Sequence, residues 1–115
     1  MKTSITARHF ELSDKVRDHT TDAMNELEKY YERIVDTRAV LTREKDRWNA
    51  EFIVGVPGET LTAEGKDALL FSAIDEAASR AGRQLKKYKA KLGLERDRRD
   101  AGQVHAPKSR KSRRQ

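Results

Sequence analysis

A helical repeat of apolar residues between Asp67 and Leu92 is the feature that most constrains how this chain folds. At 3.6 residues per turn the repeat lasts about seven turns. Its apolar positions are Leu70, Phe71, Ile74, Ala77, Ala78, Ala81, Leu85, Tyr88 and Leu92. Because these positions share one side of the helix, that side is buried and the rest of the domain must cover it.

The residues before this helix predict a small α+β domain with the order β-α-β-β-β-α and no internal repeat. Residues 3–9 alternate apolar and polar side chains with the period of a strand that has one buried face. A first helix follows, capped by Ser13 or Asp14, and its apolar spacing predicts that it runs to about Arg33.

Three further strands are predicted in the middle of the chain, at residues 37–44, 48–56 and 60–64. Pro57 fixes the φ angle that a type II turn needs at its second position, and Gly58 tolerates the positive φ needed at the third. The last two strands are therefore expected to form a hairpin, and all three form a meander.

Charge is distributed unevenly along the chain. Residues 80–115 carry 14 Lys or Arg against 3 acidic residues, a net charge of +11, whereas residues 1–79 carry 11 against 16, a net charge of −5. Such a concentration of positive charge in one third of the chain is typical of a protein that binds a polyanion. Nucleic acid is the first partner to consider.

Six of these bases lie in the second half of the long helix, with no acid between them in sequence. At 100° per residue, four share the sector opposite the apolar positions and two lie nearer its edge. The first group is Arg80, Arg83, Lys87 and Lys91, and the second is Lys86 and Lys89. Compensation of the helix dipole needs cations only in the last turn, so the pattern favours RNA or DNA binding over a solvated charged face.

The apolar pattern stops after Leu92. We therefore predict a folded domain of residues 1–94 followed by a disordered basic tail of residues 95–115, which has few large apolar side chains. The interpretation we favour is that the tail adds phosphate contacts, and the alternative is a solubilising end.

The first helix carries the opposite charge. Asp14, Asp18, Asp22 and Glu26 form a row at i, i+4 spacing, which costs a few tenths of a kcal/mol per pair. The row would repel phosphate, and it is either a solvent-facing surface or the repelling face of a polarised molecule.

Catalysis, metal binding and a bound cofactor are not expected. The chain has no cysteine, and its three histidines, His9, His19 and His105, fall in three different segments. It contains no nucleophile elbow, P-loop or dinucleotide motif. No apolar run approaches the ~20 residues that span a bilayer, and the N-terminus does not resemble a signal peptide. We expect a cytoplasmic protein that is not an enzyme.

Two residues have both a structural and a functional interpretation. Gly82 lies inside the predicted second helix, where glycine costs roughly 1 kcal/mol relative to alanine. Close packing beside Ala78 and Ala81 is the interpretation we favour over close approach of RNA. Trp48 begins the predicted third strand on its apolar face, and we place it at the core or its edge, not as a platform for base stacking.

Several short segments follow one another in a characteristic order. They are Ile5-Thr6-Ala7-Arg8, Leu27-Glu28-Lys29-Tyr30, Ala63-Glu64-Gly65-Lys66-Asp67, Ala73-Ile74-Asp75 and Arg83-Gln84-Leu85-Lys86-Lys87-Tyr88-Lys89-Ala90-Lys91-Leu92. In this order they resemble the family of ribosome hibernation promoting factors and the related ribosome-associated inhibitor of translation. The resemblance covers residues 2 to 94. Two departures are Ala7, where the family usually has Gly, and residues 67–71, a longer approach to the Ala-Ile-Asp segment.

The resemblance implies a four-stranded sheet with both helices packed on one face, similar to a double-stranded RNA-binding domain. It also implies binding in the mRNA and tRNA channel of the small ribosomal subunit, against rRNA near the decoding region, to silence ribosomes in stationary phase or stress. No small-molecule substrate, cofactor, metal or membrane is implied, and we expect a monomer when the protein is free.

By the same resemblance, the residues that contact rRNA are Arg80, Arg83, Lys86, Lys87, Lys89 and Lys91, with Lys66 and Arg8 as further contacts at one end of the sheet. Two other functions stay open at this point. One is a general module for duplex RNA, and the other is a protein-interaction regulator, such as a sigma factor modulator. Promotion of ribosome dimers and the holding of single ribosomes both fit the sequence.

Overall fold

Four strands and two helices make up the fold, in the predicted order β-α-β-β-β-α. The structure is a computed structural model that describes residues 1–101, with side chains described through residue 93. The elements are β1 (Lys2–Arg8), α1 (Asp14–Glu26), β2 (Asp36–Arg43), β3 (Trp48–Val56), β4 (Glu59–Asp67) and α2 (Leu70–Ala101). One 3-10 turn, Leu27–Lys29, follows α1 directly.

The sheet has the strand order β1-β2-β3-β4. β1 pairs with β2 in parallel, whereas the other two pairings are antiparallel. Side chains alternate between the two faces of each strand, and α1 and α2 cover the face that carries Ala50, Phe52 and Val54. The expected α+β fold, with both helices on one face of a four-stranded sheet, is confirmed.

Local sequence signals explain several of the element boundaries. The Ser13 side chain accepts a hydrogen bond from the backbone N–H of Val16 at 3.2 Å, so Ser13 caps α1. Gly58 has a φ of +86° at the third position of the β3–β4 turn, as a type II turn requires. β3 begins and ends at the predicted residues.

α2 lies unusually close to β4 at Gly65. A Cβ atom at this position would lie 2.6 Å from the backbone nitrogen of Ala77 and would also collide with the carbonyl oxygen of Ala73. Glycine is therefore required here by the close approach of a helix backbone to the strand. This contact fixes the position of α2 on the sheet.

The first helix is shorter than predicted. It ends at Glu26 instead of near Arg33, and the apolar residues beyond it pack from the 3-10 turn and the following loop. Tyr31 and Ile34 are buried there, although they do not continue the helix. The prediction was wrong because these residues keep the apolar spacing of a helix while they pack on α2 from a loop.

Both ends of α2 also differ from the prediction. β4 extends to Asp67, so α2 begins at Leu70, and its helical backbone continues to Ala101, beyond the predicted domain boundary at residue 94. Residues 94–101 have the sequence LERDRRDA, in which six of the eight residues are Leu, Glu, Arg or Ala, which favour helix. The rest of the predicted tail, residues 102–115, lies outside the described residues.

Candidate nucleic-acid interface

All six bases between Arg80 and Lys91 on α2 are exposed in the structure. They lie on α2 away from the buried residues Ala77, Ala81 and Leu85, which pack on the sheet. The six divide into three directions around the helix. Arg80, Lys87 and Lys91 lie on the side toward β4, Arg83 toward solvent, and Lys86 and Lys89 toward the α1 side of the helix.

Arg80 is held against the edge of the sheet. Its guanidinium donates a hydrogen bond to the carbonyl oxygen of Glu64 on β4 at 2.9 Å, and a second nitrogen lies 3.1 Å from the Glu76 carboxylate. The Arg80 side chain is still half exposed. It therefore stabilises the contact between α2 and β4, and only part of it is available to a ligand.

Gln84 and Tyr88 continue this row of donors one and two turns further along α2. Gln84 Nε2 donates to the carbonyl oxygen of Thr62 at 2.5 Å, and the Tyr88 hydroxyl donates to that of Pro57 at 2.6 Å. The ring of Tyr31 packs edge-on against Tyr88. Burial raises the pKa of the Tyr88 phenol, because the charged form would lose its hydration.

Acids relieve some of the repulsion that the sequence predicts among these bases. Glu76 lies one turn before Arg80, and Glu59 at the start of β4 lies 4.0 Å from the ammonium group of Lys91. Glu59 is remote in sequence, so the absence of acids between the six bases was a misleading signal. Glu76 could have been found from its i, i+4 spacing to Arg80.

The outward side of α2 has fewer partners. Arg83 Nη1 lies 3.4 Å from the Ser79 hydroxyl, a weak hydrogen bond, and Lys87 is exposed. The ammonium group of Lys86 lies 5.2 Å from the centre of the Tyr30 ring, within the range of a cation–π contact. The outward side thus presents positive charge that no ion pair among the described residues neutralises.

Tyr30 also explains the glycine inside α2. A Cβ at Gly82 would lie 2.8 Å from the Tyr30 ring, so the helix needs glycine for an aromatic side chain to pack closely. Protein packing is therefore the reason for Gly82, as expected, although the partner is Tyr30 and not a neighbouring helix backbone. Tyr30 belongs to the face that carries Lys86, a relation that the sequence did not reveal.

Arg8 and Lys66 lie apart from the α2 bases. They are exposed, and with Thr42 and Asn49 they form one row across the open face of the sheet, in the register Arg8, Thr42, Asn49, Lys66. Arg8 and Lys66 thus lie at the same end of the sheet, as predicted. Lys91 lies near Glu59 at the other end of β4, roughly 23 Å away at 3.3 Å per strand residue.

Trp48 lies at the edge of the core, as predicted. Its ring packs edge-on against Phe10 with 4.9 Å between ring centres, and the Arg43 guanidinium lies 5.4 Å from the ring centre. Because both contacts are internal, the indole is not free to stack on a base.

The acidic row of α1 is present as predicted by its spacing, and all four of its side chains are exposed.

Within the part of the chain that the structure describes, no group of three or more potential metal ligands converges. The two helices over residues 1–101 include none with an apolar stretch long enough to cross a bilayer.

The chain is similar in sequence to known proteins. The model of the family described as "Sigma 54 modulation protein / S30EA ribosomal protein" matches residues 3–93. The ribosome hibernation promoting factor of Escherichia coli (strain K12) is 33% identical over 94 residues, covering 80% of this chain and 97% of that protein. That of Pseudomonas putida is 28% identical over 91 residues, covering 79% and 89%.

Solved structures agree with the sequence matches. The crystal structure of the N-terminal domain of Protein Y from Thermus thermophilus has a TM-score of 0.71 and 29% identity. The match covers 76% of this chain and 99% of that domain.

Proposed function

Because the chain belongs to the sigma 54 modulation protein / S30EA ribosomal protein family, we propose that it is a ribosome hibernation factor that binds the small ribosomal subunit. It occupies the mRNA and tRNA channel near the decoding region and blocks translation in stationary phase or stress. It works in the cytoplasm, and it is a monomer when free. It acts by occupying space, so it needs neither a cofactor nor a chemical step.

The observation that carries this proposal is the exposed basic surface of α2. Arg83 points to solvent, and the exposed side chains of Lys86, Lys87, Lys89 and Lys91 flank it. Each contact between such a base and an rRNA phosphate releases condensed counterions, which gives affinity without sequence recognition. Recognition by shape and backbone contacts is the usual mode for structured RNA.

A rigid support makes this surface effective. Gln84 and Tyr88 bind α2 to the edge of β4, and Gly65 lets the helix approach the strand closely. The bases on the opposite side of α2 are therefore held in a fixed arrangement. Binding then loses less conformational entropy than it would for a flexible basic segment.

Arg8 and Lys66 supply a second rRNA contact in this proposal. Their row lies at the end of the sheet away from Lys91, so the two basic regions are separated by about the length of β4. Contacts at two separated points fix the orientation of the domain on rRNA as well as its affinity. Arg80 has a smaller share of the contact, since Glu64 and Glu76 hold it.

The test is sedimentation of the full chain with purified small ribosomal subunits through a sucrose gradient, with and without excess A-form duplex RNA. We expect co-sedimentation that the duplex does not displace. Lys87→Ala with Lys91→Ala should weaken it. Lys15→Ala with Arg17→Ala removes the same charge from exposed positions on α1 and should leave binding unchanged.

Other outcomes would identify another function. Full displacement by any duplex would mean a general module for structured RNA. Binding that neither pair of substitutions changes would mean that the α2 surface is not the rRNA contact. Failure to co-sediment, together with binding to an acidic protein, would favour a protein-interaction regulator.

A further inference from the structure

A groove runs between the two helices on the side of α1 and α2 away from the sheet. Its volume is about 350 Å³. Small and apolar side chains, Ala23, Leu27 and Ala78, contribute to its lining. Three carboxylates, Asp22, Glu26 and Asp75, line it as well. The groove thus has an apolar floor and acidic sides.

Each end of the groove carries an aromatic side chain. At one end, the ring of Phe71 packs on His19 with 4.6 Å between ring centres, yet Phe71 is 42% exposed. Its neighbour Leu69 is 66% exposed. At the other end Tyr30 lies beneath Lys86. Exposed apolar groups beside a groove indicate an interaction surface when they cluster in this way.

The negative charge of the groove is only partly compensated by the protein. The ammonium group of Lys29 lies 3.0 Å from the Glu26 carboxylate, whereas the contact at 2.7 Å between His19 Nε2 and Asp75 is a hydrogen bond. Asp22 forms no ion pair with any side chain described between residues 1 and 93. Asp14 and Asp18 continue the row on α1, so the local potential is negative and attracts a cationic segment.

We propose that this interhelical groove binds the basic C-terminal segment of the same chain, residues 108–114. The segment has the sequence KSRKSRR, which carries five bases and no acid. Charge complementarity selects it, since the remaining bases of the chain belong to folded elements or to the α2 surface. Arginine and lysine stems can also cover the apolar floor while their charged ends meet the carboxylates.

The length of the chain permits this contact. Ser79, which lines the groove, precedes Ala101 by 22 helical residues, roughly 33 Å at 1.5 Å per residue. Ten extended residues after Ala101 span roughly the same distance. Seven extended residues span roughly 23 Å, so Lys108 reaches the Lys86 end of the groove, and Lys111 is the first base that reaches Ser79.

This contact gives the segment two competing partners. When the protein is free, the groove holds the bases and makes them less accessible to unrelated polyanions. When a polyanion binds α2, its phosphates compete for the same bases and release them. The intramolecular contact itself does not depend on the proposed ribosomal function, so it can be tested on the free protein.

Paramagnetic relaxation enhancement in the free, full-length chain provides the test. The chain has no cysteine, so Ser112→Cys gives one attachment site for a nitroxide label. We expect selective loss of amide signals from residues 19–30 and 71–79, and retained signals from the open sheet face at residues 60–64. The loss should diminish in high salt, because the screening length falls from roughly 10 Å at 0.1 M to 3 Å at 1 M.

A matched pair of variants separates the groove from general electrostatics. Asp22→Asn with Glu26→Gln and Asp75→Asn should restore the lost signals. Asp46→Asn with Glu51→Gln and Glu64→Gln removes the same charge from the β2–β3 loop and the open sheet face, and should leave the signal loss unchanged. Amide spectra and thermal unfolding of each variant verify that the fold persists.

Three outcomes would overturn the proposal. The first is an unchanged signal in the groove, and the second is an equal loss on the open sheet face. The third is transfer of the effect to unlabelled ¹⁵N protein mixed with labelled ¹⁴N protein, since the occupant would then be the segment of a second copy. Ribosome binding is absent from all these measurements, so their failure would leave the proposed function standing.

Discussion

Two sides of α2 carry the same kind of charge and use it differently. On the side toward β4, Arg80 is bound to the Glu64 carbonyl and the Glu76 carboxylate, and Gln84 and Tyr88 extend this attachment along the strand. On the outward side, Arg83 has one weak contact to Ser79. One side of the helix therefore secures the fold, and the other is available to a partner.

The difference shows that the role of a basic side chain depends on its neighbours in the fold as much as on its position in the sequence. Arg80 and Arg83 are three residues apart, and the sequence placed them in one sector. The backbone carbonyls of an edge strand turn one of them into a structural donor. Covering an edge strand in this way also blocks unwanted pairing with another chain.

The largest expected effect concerns the buried side of α2. Ile74→Ala should lower the free energy of unfolding by about 2–5 kcal/mol, since Ile74 is fully buried and its truncation leaves a cavity. Urea denaturation measures this loss. Lys89→Ala, on the exposed side, is the control and should change stability by less than about 0.5 kcal/mol. Equal losses in the two variants would mean that the buried and exposed sides of α2 are wrongly assigned.

A smaller effect is expected where α2 is fastened to the β3–β4 turn. Tyr88→Phe removes the hydrogen bond to the Pro57 carbonyl and should cost about 0.5–1.5 kcal/mol at neutral pH. Tyr30→Phe removes a hydroxyl whose polar neighbour is the exposed Lys29 side chain, so urea denaturation should detect a smaller loss. An equally large loss for Tyr30→Phe would show that the hydrogen bond to the Pro57 carbonyl is not the cause of the loss.

The pH dependence of stability tests the same residue. Burial raises the pKa of Tyr88 above its unfolded value of about 10. The native state therefore favours the neutral phenol, and this contribution is complete below pH 10 and is lost as pH rises through the folded-state pKa. Stability should fall more steeply above pH 10 in the wild type than in Tyr88→Phe. Parallel curves would contradict the burial of this phenol.

The smallest effect on stability compares the two arginines directly. Arg80→Ala should lower the free energy of unfolding by about 0.2–1 kcal/mol, a modest loss because the side chain is half exposed. Arg83→Ala should lose less, since its only described contact is the weak one to Ser79. Thermal unfolding of both variants in one buffer decides the order. A greater loss for Arg83→Ala would reverse the comparison.

Local patterns predicted much of the fold. The alternation over β3 and the Pro57-Gly58 turn are short-range signals, and the structure reproduces both. The end of α1 was missed because Tyr31 and Ile34 keep a helical spacing while packing from a loop. Periodicity reports which residues are buried, but it does not report whether the backbone between them stays helical.

The candidate site was predictable in composition and not in organisation. The helical phase correctly predicted that the six bases from Arg80 to Lys91 are exposed, because exposure of these residues depends on the helix alone. The contact between Arg80 and Glu64 and the one between Gly82 and Tyr30 join residues that are distant in sequence. Such tertiary contacts decide which bases are free, and no local pattern encodes them.

The salt dependence of small-subunit binding by Arg83→Ala and Arg80→Ala is the most direct test of the claim that the outward side of α2 contacts rRNA. Affinity of each full-length variant for purified small subunits would be measured at several salt concentrations. We expect that Arg83→Ala lowers the magnitude of the log–log slope by about 0.7–0.9, the loss of one phosphate contact, and that Arg80→Ala lowers it by less. An unchanged slope for Arg83→Ala, or a larger change for Arg80→Ala, would contradict it.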